Sequence, residues 1–172
     1  MSIYDGQPDN PNFLSPANYT FLIQKLPVLS SLITKVSIPG ISLGTIKSPT
    51  TFRALQVPGN PLTFTEFNVT YKLDESLQAY TTLTNWLVGL GIPDTFQTYA
   101  DLNAQPIANG KYSDASLTFL DSSKNPTVTM NFSSAFPVSA SGFSMETSVN
   151  DIQYVEQTIS FAFQSLKIET AS

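Results

Sequence analysis

The sequence contains no cysteine and no histidine. Without cysteine there is no disulfide and no thiol chemistry. Without histidine there is no Ser-His-Asp or Cys-His catalysis, no His-ligated zinc and no imidazole base near neutral pH. Catalysis would have to run through carboxylates, lysine or tyrosine, and the expectation is a protein that is not an enzyme and takes no cofactor or metal. Charge is also scarce. Charged residues make up 12% of the chain, about half the usual share. The net charge is −5 and there is no basic run, which argues against specific DNA or RNA binding. No stretch approaches the roughly 20 apolar residues of a membrane span. The first residues, MSIYDGQPDNPNF, carry neither a basic nor an apolar signal region, so no secretory signal is expected. The Asn-X-Ser/Thr triplets at Asn18, Asn68 and Asn131 then read as chance matches in a Thr-rich chain.

What is present fits one domain. A chain of 172 residues buries roughly 70% of the surface its unfolded form exposes, so it needs no staple. Its surface must be covered largely by Ser, Thr, Asn and Gln. That suits a protein covered by copies of itself, or a secreted β-protein with a neutral surface. Residues 1–17 hold Pro8, Pro11 and Pro16 among Asp, Asn and Gly and read as an irregular N-terminal arm. Ile3, Tyr4, Phe13 and Leu14 are its anchors, on a neighbour or on its own domain. Residues 18–172 form the single domain.

The domain reads as mainly β. Tyr19–Leu26 puts Tyr19, Phe21 and Ile23 on one face, and Pro27 ends it. Leu32–Ile38 is a second strand, closed by Pro39-Gly40. About residues 41–62 form a long excursion. Ile41, Leu43, Ile46, Phe52, Leu55, Val57 and Leu62 are spread through it beside Lys47 and Arg53. It is too apolar for disorder and too long for an ordinary loop, so it is expected to dock on a partner. Pro58-Gly59-Asn60-Pro61 reads as a sharp corner on the way back. Thr65–Leu73 alternates strictly. Phe67, Val69, Tyr71 and Leu73 share one face, and Glu66, Asn68, Thr70 and Lys72 share the other.

Asp74 reads as the N-cap of a helix over about 75–90, with Glu75 in the first turn. Leu77, Tyr80, Leu83 or Thr84, Leu87 and Leu90 give that helix one apolar face, anchored by Trp86. Gly89, Gly91 and Pro93 stop it. Residues 92–110 are a loop in which Phe96 and Tyr99 give a turn of structure. Ala115–Leu120 and Val128–Phe132 form a hairpin around Asp121–Pro126. Residues 133–148 read as a second long loop. Val155–Phe163 alternates again, with a bend expected near Gln164-Ser165. The expected core includes Phe67, Val69, Tyr71, Leu73, Leu77, Leu83, Trp86, Leu87, Phe161 and Phe163. The sum is a β-sandwich or partly open barrel of six to seven strands, with one inserted helix and a protruding hairpin.

Candidate chemistry is thin. Asp74 and Glu75 are adjacent, and neighbours in sequence do not face each other on a helix, so capping outweighs catalysis. Gly40, Gly44, Lys47 and Ser48 resemble a phosphate loop only faintly, because the Gly-Lys-Ser/Thr triplet is missing. Asp101, Asn103 and Gln105 begin like a calcium loop. Pro106 then stands where glycine is needed, and no acid follows at the twelfth position.

The order of elements is more specific. A strand runs into Ile38-Pro39-Gly40, and an excursion ends near Gly59. FTEFNVTYKL (64–73), the Asp74-Glu75 helix start and Trp86 follow. Two strands, a long loop and Ile159-x-Phe161-x-Phe163 close the pattern. Over about residues 19–168 this resembles the tail tube protein of contractile-tailed bacteriophages, a family related to the type VI secretion tube protein. The resemblance implies a subunit of homohexameric rings that stack into a hollow tube inside a sheath. The tube meets tail sheath and baseplate proteins, and genomic DNA passes its lumen without specific binding. The location implied is the virion tail, assembled in the host bacterial cytoplasm. The hairpin, 41–62, would reach the adjacent ring, and Glu66, Asn68, Thr70 and Lys72 are lumen-wall candidates. The proline-rich arm has no counterpart that can be placed. A baseplate tube initiator or terminator of the same fold is the near alternative. A β-sandwich carbohydrate-binding module is the alternative from another class, and it requires an exposed Trp or Tyr platform, for which Trp86 is the best residue.

Overall fold

The computed structural model describes residues 12–49, 53–91, 100, 110–147 and 154–170. Nine strands and two helices follow one another among them: β1 (Tyr19–Ile23), α1 (Leu29–Leu32), β2 (Ile33–Ser37), β3 (Ile41–Pro49), β4 (Ala54–Phe64), β5 (Phe67–Lys72), α2 (Gln78–Leu90), β6 (Ser113–Leu120), β7 (Pro126–Ala140), β8 (Glu156–Ala162) and β9 (Ser165–Thr170). Seven strands make the body and β3–β4 make a separate ribbon. Every pairing is antiparallel.

The body is sandwich-like and open. One layer runs β1–β6–β7–β9, and the other runs β7–β8–β5–β2. β7 belongs to both. Its first half pairs β6 and β9, through Val128–Ser133, and its second half pairs β8, from Phe136 to Ala140. β1 and β2 end the path without pairing each other, so no barrel closes.

Alternation explains the layers. Along β5, Phe67, Val69 and Tyr71 are buried while Asn68, Thr70 and Lys72 are half-buried on the back. Phe67 is the hub between layers. Its ring lies 4.6 Å from Phe132, 5.2 Å from Phe161, 6.0 Å from Phe163 and 6.1 Å from Phe21. α2 covers one end. It buries Ala79, Leu83, Trp86 and Gly89, with the Trp86 ring 6.3 Å from Phe161. The Trp86 Nε1–H donates to the Lys111 carbonyl at 3.1 Å, and the Lys25 ammonium sits 4.7 Å above the ring. Burial lowers the Lys25 pKa.

Several expectations change. The helix starts at Gln78, not near residue 75. Leu77 has φ 50°, a left-handed backbone that a right-handed helix cannot contain. The Asp74 carboxylate accepts from the Ser76 hydroxyl and from the Gln78 N–H at 3.0 Å. Asp74 therefore closes a turn ahead of the helix, and these bonds lower its pKa, that from Ser76 most. Leu77 is 37% exposed and is not core. Leu73, Leu87 and Phe163 pack on the core from its rim. The loop expected from residue 133 is strand as far as Ala140. Ser134 has φ 54°, and past it the buried positions move from Phe132 to Ala135 and Pro137. That phase change hides the second half of the strand from a period-two reading. The short helix α1 was not expected. The bend at Gln164-Ser165 is present between β8 and β9. The segment around Asp101 and the aromatics Phe96 and Tyr99 lie outside the described residues.

Candidate functional site

The excursion is a two-stranded ribbon that leaves the body at a defined root. The Gly40 N–H donates to the Thr65 hydroxyl at 2.7 Å, and the Thr65 N–H donates to the Gly40 carbonyl at 3.0 Å. Phe64 holds the root to the core rim, its ring 5.5 Å from Phe163. Beyond that, β3 and β4 pair with each other alone. Its strands span Ile41–Pro49 and Ala54–Phe64, the second ending two residues beyond the expected bound. Ile41, Leu43, Ile46, Leu55 and Val57 are all exposed, as are Lys47 and Arg53. Phe52 lies outside the described residues.

Pro58–Pro61 is not a corner. These residues lie inside β4. The register runs Leu43 opposite Leu62 and then Thr45 opposite Pro58, so three residues, 59–61, face one glycine, Gly44. The Pro-Gly-Asn-Pro cluster is a bulge. β4 pairs on one side only, so its prolines cost no bond on the free side. A Cβ on Gly44 would lie 2.7 Å from the Pro61 ring, and one on Gly59 would lie 2.9 Å from the Gly44 carbonyl oxygen. The two glycines let the strands close at the bulge.

Cross-strand partners share a face. Near the root the pairs Ile41–Phe64 and Leu43–Leu62 put four apolar side chains on one face, while Ser42 and Thr63 bond each other on the opposite face at 2.6 Å. Beyond the bulge the pairs Ile46–Val57 and Ser48–Leu55 fall on that opposite face, and Lys47–Gln56 takes the first. The apolar surface thus changes sides halfway along the ribbon. Ile46 is 58%, Leu55 41% and Val57 40% exposed. The faint phosphate-loop pattern falls largely on this strand, where the amides serve strand pairing and form no cradle.

The second surface is the back of β2, β5 and β8. Register brings Asn68 opposite Ser37 and Ser160, Thr70 opposite Lys35 and Thr158, and Lys72 opposite Glu156. The Thr70 and Thr158 hydroxyls lie 2.9 Å apart. The Ser160 hydroxyl donates to Asn68 Oδ1 at 2.7 Å. Lys72 Nζ sits 4.5 Å above the Tyr154 ring. Glu66 is exposed just ahead of β5. Asn68, Thr70 and Lys72 are thus gathered in one hydroxyl-rich sheet face.

Inside the layer one polar chain is buried. The Tyr71 hydroxyl donates to Gln157 Oε1 at 2.6 Å, and Gln157 Nε2 donates to the Ser141 carbonyl at 2.7 Å. Burial, with help from Asp74 and Tyr80, pushes the Tyr71 pKa up to about 12. Gln157 stands on the inward side of β8 with Ile159 and Phe161, and its polar partners come from β5 and from residue 141.

Trp86 is 2% exposed and offers no platform to a sugar ring. Among the described residues no group of three or more carboxylates converges on a point, and no helix is long and apolar enough to cross a membrane.

No protein-family model and no curated protein sequence matches the chain. Solved structures do. The chain is similar to the tube-terminating cap of the anti-feeding prophage, at 17% identity over 99% of this chain and 100% of that one, with a TM-score of 0.63. It is similar at 16% identity and a TM-score of 0.59 to a chain of the PVC sheath–tube complex of an extracellular contractile injection system, over 94% of both. The PVC sheath/tube terminator matches with the same identity and score, over 94% of this chain and 100% of that one. At such identities the backbone is what is shared, and the chain has the fold found in these contractile injection system components.

Proposed function

We propose that the chain is a structural subunit of a contractile-tail tube, forming homohexameric rings that stack around a lumen. The carrying observation is the ribbon, which presents Ile46, Leu55 and Val57 to solvent on a strand pair with no body of its own to pack against. Exposed apolar surface built into ordered strands marks an assembly contact. The full-length fold similarity to tube-terminating and sheath–tube components supports the same reading. In it, residues 1–17 are an arm and 18–172 the tube domain, and the ribbon reaches the adjacent ring. Glu66, Asn68, Thr70 and Lys72 face the lumen. Sheath and baseplate proteins are its partners, the tail of a phage particle is its place, and DNA is its passenger.

A second reading, a tube-terminating cap, draws on the match to the anti-feeding prophage cap over the whole of both chains. Copy number per particle separates the two: many rings for a tube, one for a cap.

Electron microscopy of the purified protein at high concentration tests the proposal. Rings or tubes are expected. A strictly monomeric particle, even beside baseplate components, would refute it. Deleting residues 44–58 should leave a folded domain that no longer stacks. Normal stacking by that variant would take the role away from the ribbon.

A further inference from the structure

β9 is a free edge of the body, and so are β1 and β2, the ends of the path, which have a cleft between them. α1 packs against β1 and β5 beside this gap, with Leu29 fully buried. One hollow of about 510 Å³ runs between Tyr19–Phe21 and Ile33–Thr34. A second, of about 210 Å³, continues it from Tyr19 to Val36 and Ile38, floored by Leu117 and Phe119. A free strand edge is a row of unpaired N–H and C=O groups, a template for another strand. Here two such edges flank a groove with an apolar floor, the arrangement that accepts an extended segment.

We propose that the distal half of the β3–β4 ribbon of a second copy docks in this cleft, with Ile46, Leu55 and Val57 on its floor. The proposal rests on the tube reading and says where the ribbon goes. Three observations carry it. The lining residues of both hollows include no charged side chain. The distal apolar face of the ribbon, Ile46, Ser48, Leu55 and Val57, has none either, while Lys47 stands on the opposite face. Among the paired residues of the distal half, charge is thus confined to the other face, with Arg53 standing just ahead of β4, and the uncharged paired face fits the uncharged cleft. Next, β3 has nine residues, and at about 3.4 Å each a strand of that length can cross from one subunit into another. Finally, Ile46, Leu55 and Val57 are exposed in their own copy, so the ribbon does not occupy its own cleft and its host is another molecule. Of the root quartet, Phe64 holds to its own subunit through Phe163, while Ile41, Leu43 and Leu62 are exposed; the distal trio faces the host.

The experiment places p-benzoylphenylalanine at position 57 of the full chain, mixes heavy- and light-nitrogen copies, irradiates the assemblies and maps adducts by mass spectrometry. Adducts joining heavy to light copies at residues 19–21, 33–38 or 117–119 are expected. Assemblies that form but give adducts elsewhere, only within one copy, or none, overturn this docking and leave the tube reading standing. A particle that stays monomeric overturns both. Thr34→Glu adds a charge at an exposed position in the cleft and should leave the circular dichroism unchanged. The concentration needed for assembly should rise at least about tenfold, as for burying one unpaired charge. Assembly of Thr34→Glu at the parental concentration would also overturn the docking.

Discussion

Replacing Gly59 by alanine measures how far the ribbon is a structure of its own. The new Cβ would lie 2.9 Å from the Gly44 carbonyl oxygen, 3.1 Å from its carbonyl carbon and 3.3 Å from Ile46 Cγ1. Two of these atoms are backbone and cannot rotate away. Relief requires β3 and β4 to part by a few tenths of an ångström at the bulge, between the pairs Leu43–Leu62 and Thr45–Pro58. Overpacking of this kind costs about 1–3 kcal/mol. Alanine returns about 0.4–1 kcal/mol by restricting the unfolded chain, so the net loss is about 1–2 kcal/mol. That loss should stay local, because the ribbon pairs only with itself and sub-global opening exposes it separately. Hydrogen exchange reads it directly. Amides of residues 42–47 and 55–63 should exchange roughly 5- to 30-fold faster, at about 1.4 kcal/mol per tenfold. Those of β5 and β8 should not change. Unchanged ribbon exchange would refute the steric argument. An equal loss of protection across β5 and β8 would show that ribbon and body open as one unit.

Phe67→Ala removes the ring on which Phe21, Phe132, Phe161 and Phe163 converge. It should cost about 3–5 kcal/mol and lower Tm by roughly 6–20 °C at this chain length; a loss under about 1.5 kcal/mol in urea unfolding would mean that the layers collapse onto the gap. Tyr71 should contribute to the alkaline limb of stability. Its folded pKa, about 12, is above the unfolded value near 10, so its contribution is complete below pH 10 and is lost as pH rises from 10 to 12. Two pH units correspond to about 2.7 kcal/mol. Urea unfolding from pH 8 to 12 should show that decline, and Tyr71→Phe should flatten it while leaving Gln157 Oε1 without its donor. An equally steep decline in Tyr71→Phe would assign the alkaline limb to other groups.

What the sequence reveals depends on how local the cause is. The alternation of Phe67, Val69 and Tyr71 is legible because β5 lies inside a layer with one face on the core. Trp86 and Leu83 are legible because α2 is long enough to repeat its apolar stripe. α1 has four residues, too few for a period to show, and Pro27 just before it reads as an end. The second half of β7 is hidden by the left-handed Ser134, whose N–H is held by Asp114 Oδ1 at 3.0 Å, a residue twenty positions away. The same holds at the ribbon. Pro58-Gly59-Asn60-Pro61 is chemically a turn, and only its distant partner Gly44 makes it a bulge. The ribbon itself was legible as apolar residues with no core to join. The cleft between β1 and β2 was not, since an edge exists only once the order of strands is known.

The distribution of charge bears on what a lumen of this protein would do. The chain has 13 acidic and 8 basic residues. All eight bases and eight of the acids are among the described residues, which therefore balance. The net −5 rests on Asp5, Asp9, Asp94, Asp101 and Asp151. On the hydroxyl-rich face of β2, β5 and β8, Lys35 and Lys72 stand with Glu66 and Glu156. Acidic composition alone would predict a wall that repels DNA by its field, but this face supplies no net field. At physiological salt a charge acts over about 8 Å, so repulsion at the face would have to come from aspartates within that reach. The face offers a different property. Thr70 bonds Thr158, Ser160 bonds Asn68, and the Ser141 hydroxyl takes the Thr158 N–H at 3.0 Å. Each of these bonds removes one donor or acceptor that a phosphate or a peptide group would otherwise meet. Whatever friction they remove would stay removed at salt concentrations that screen every charge.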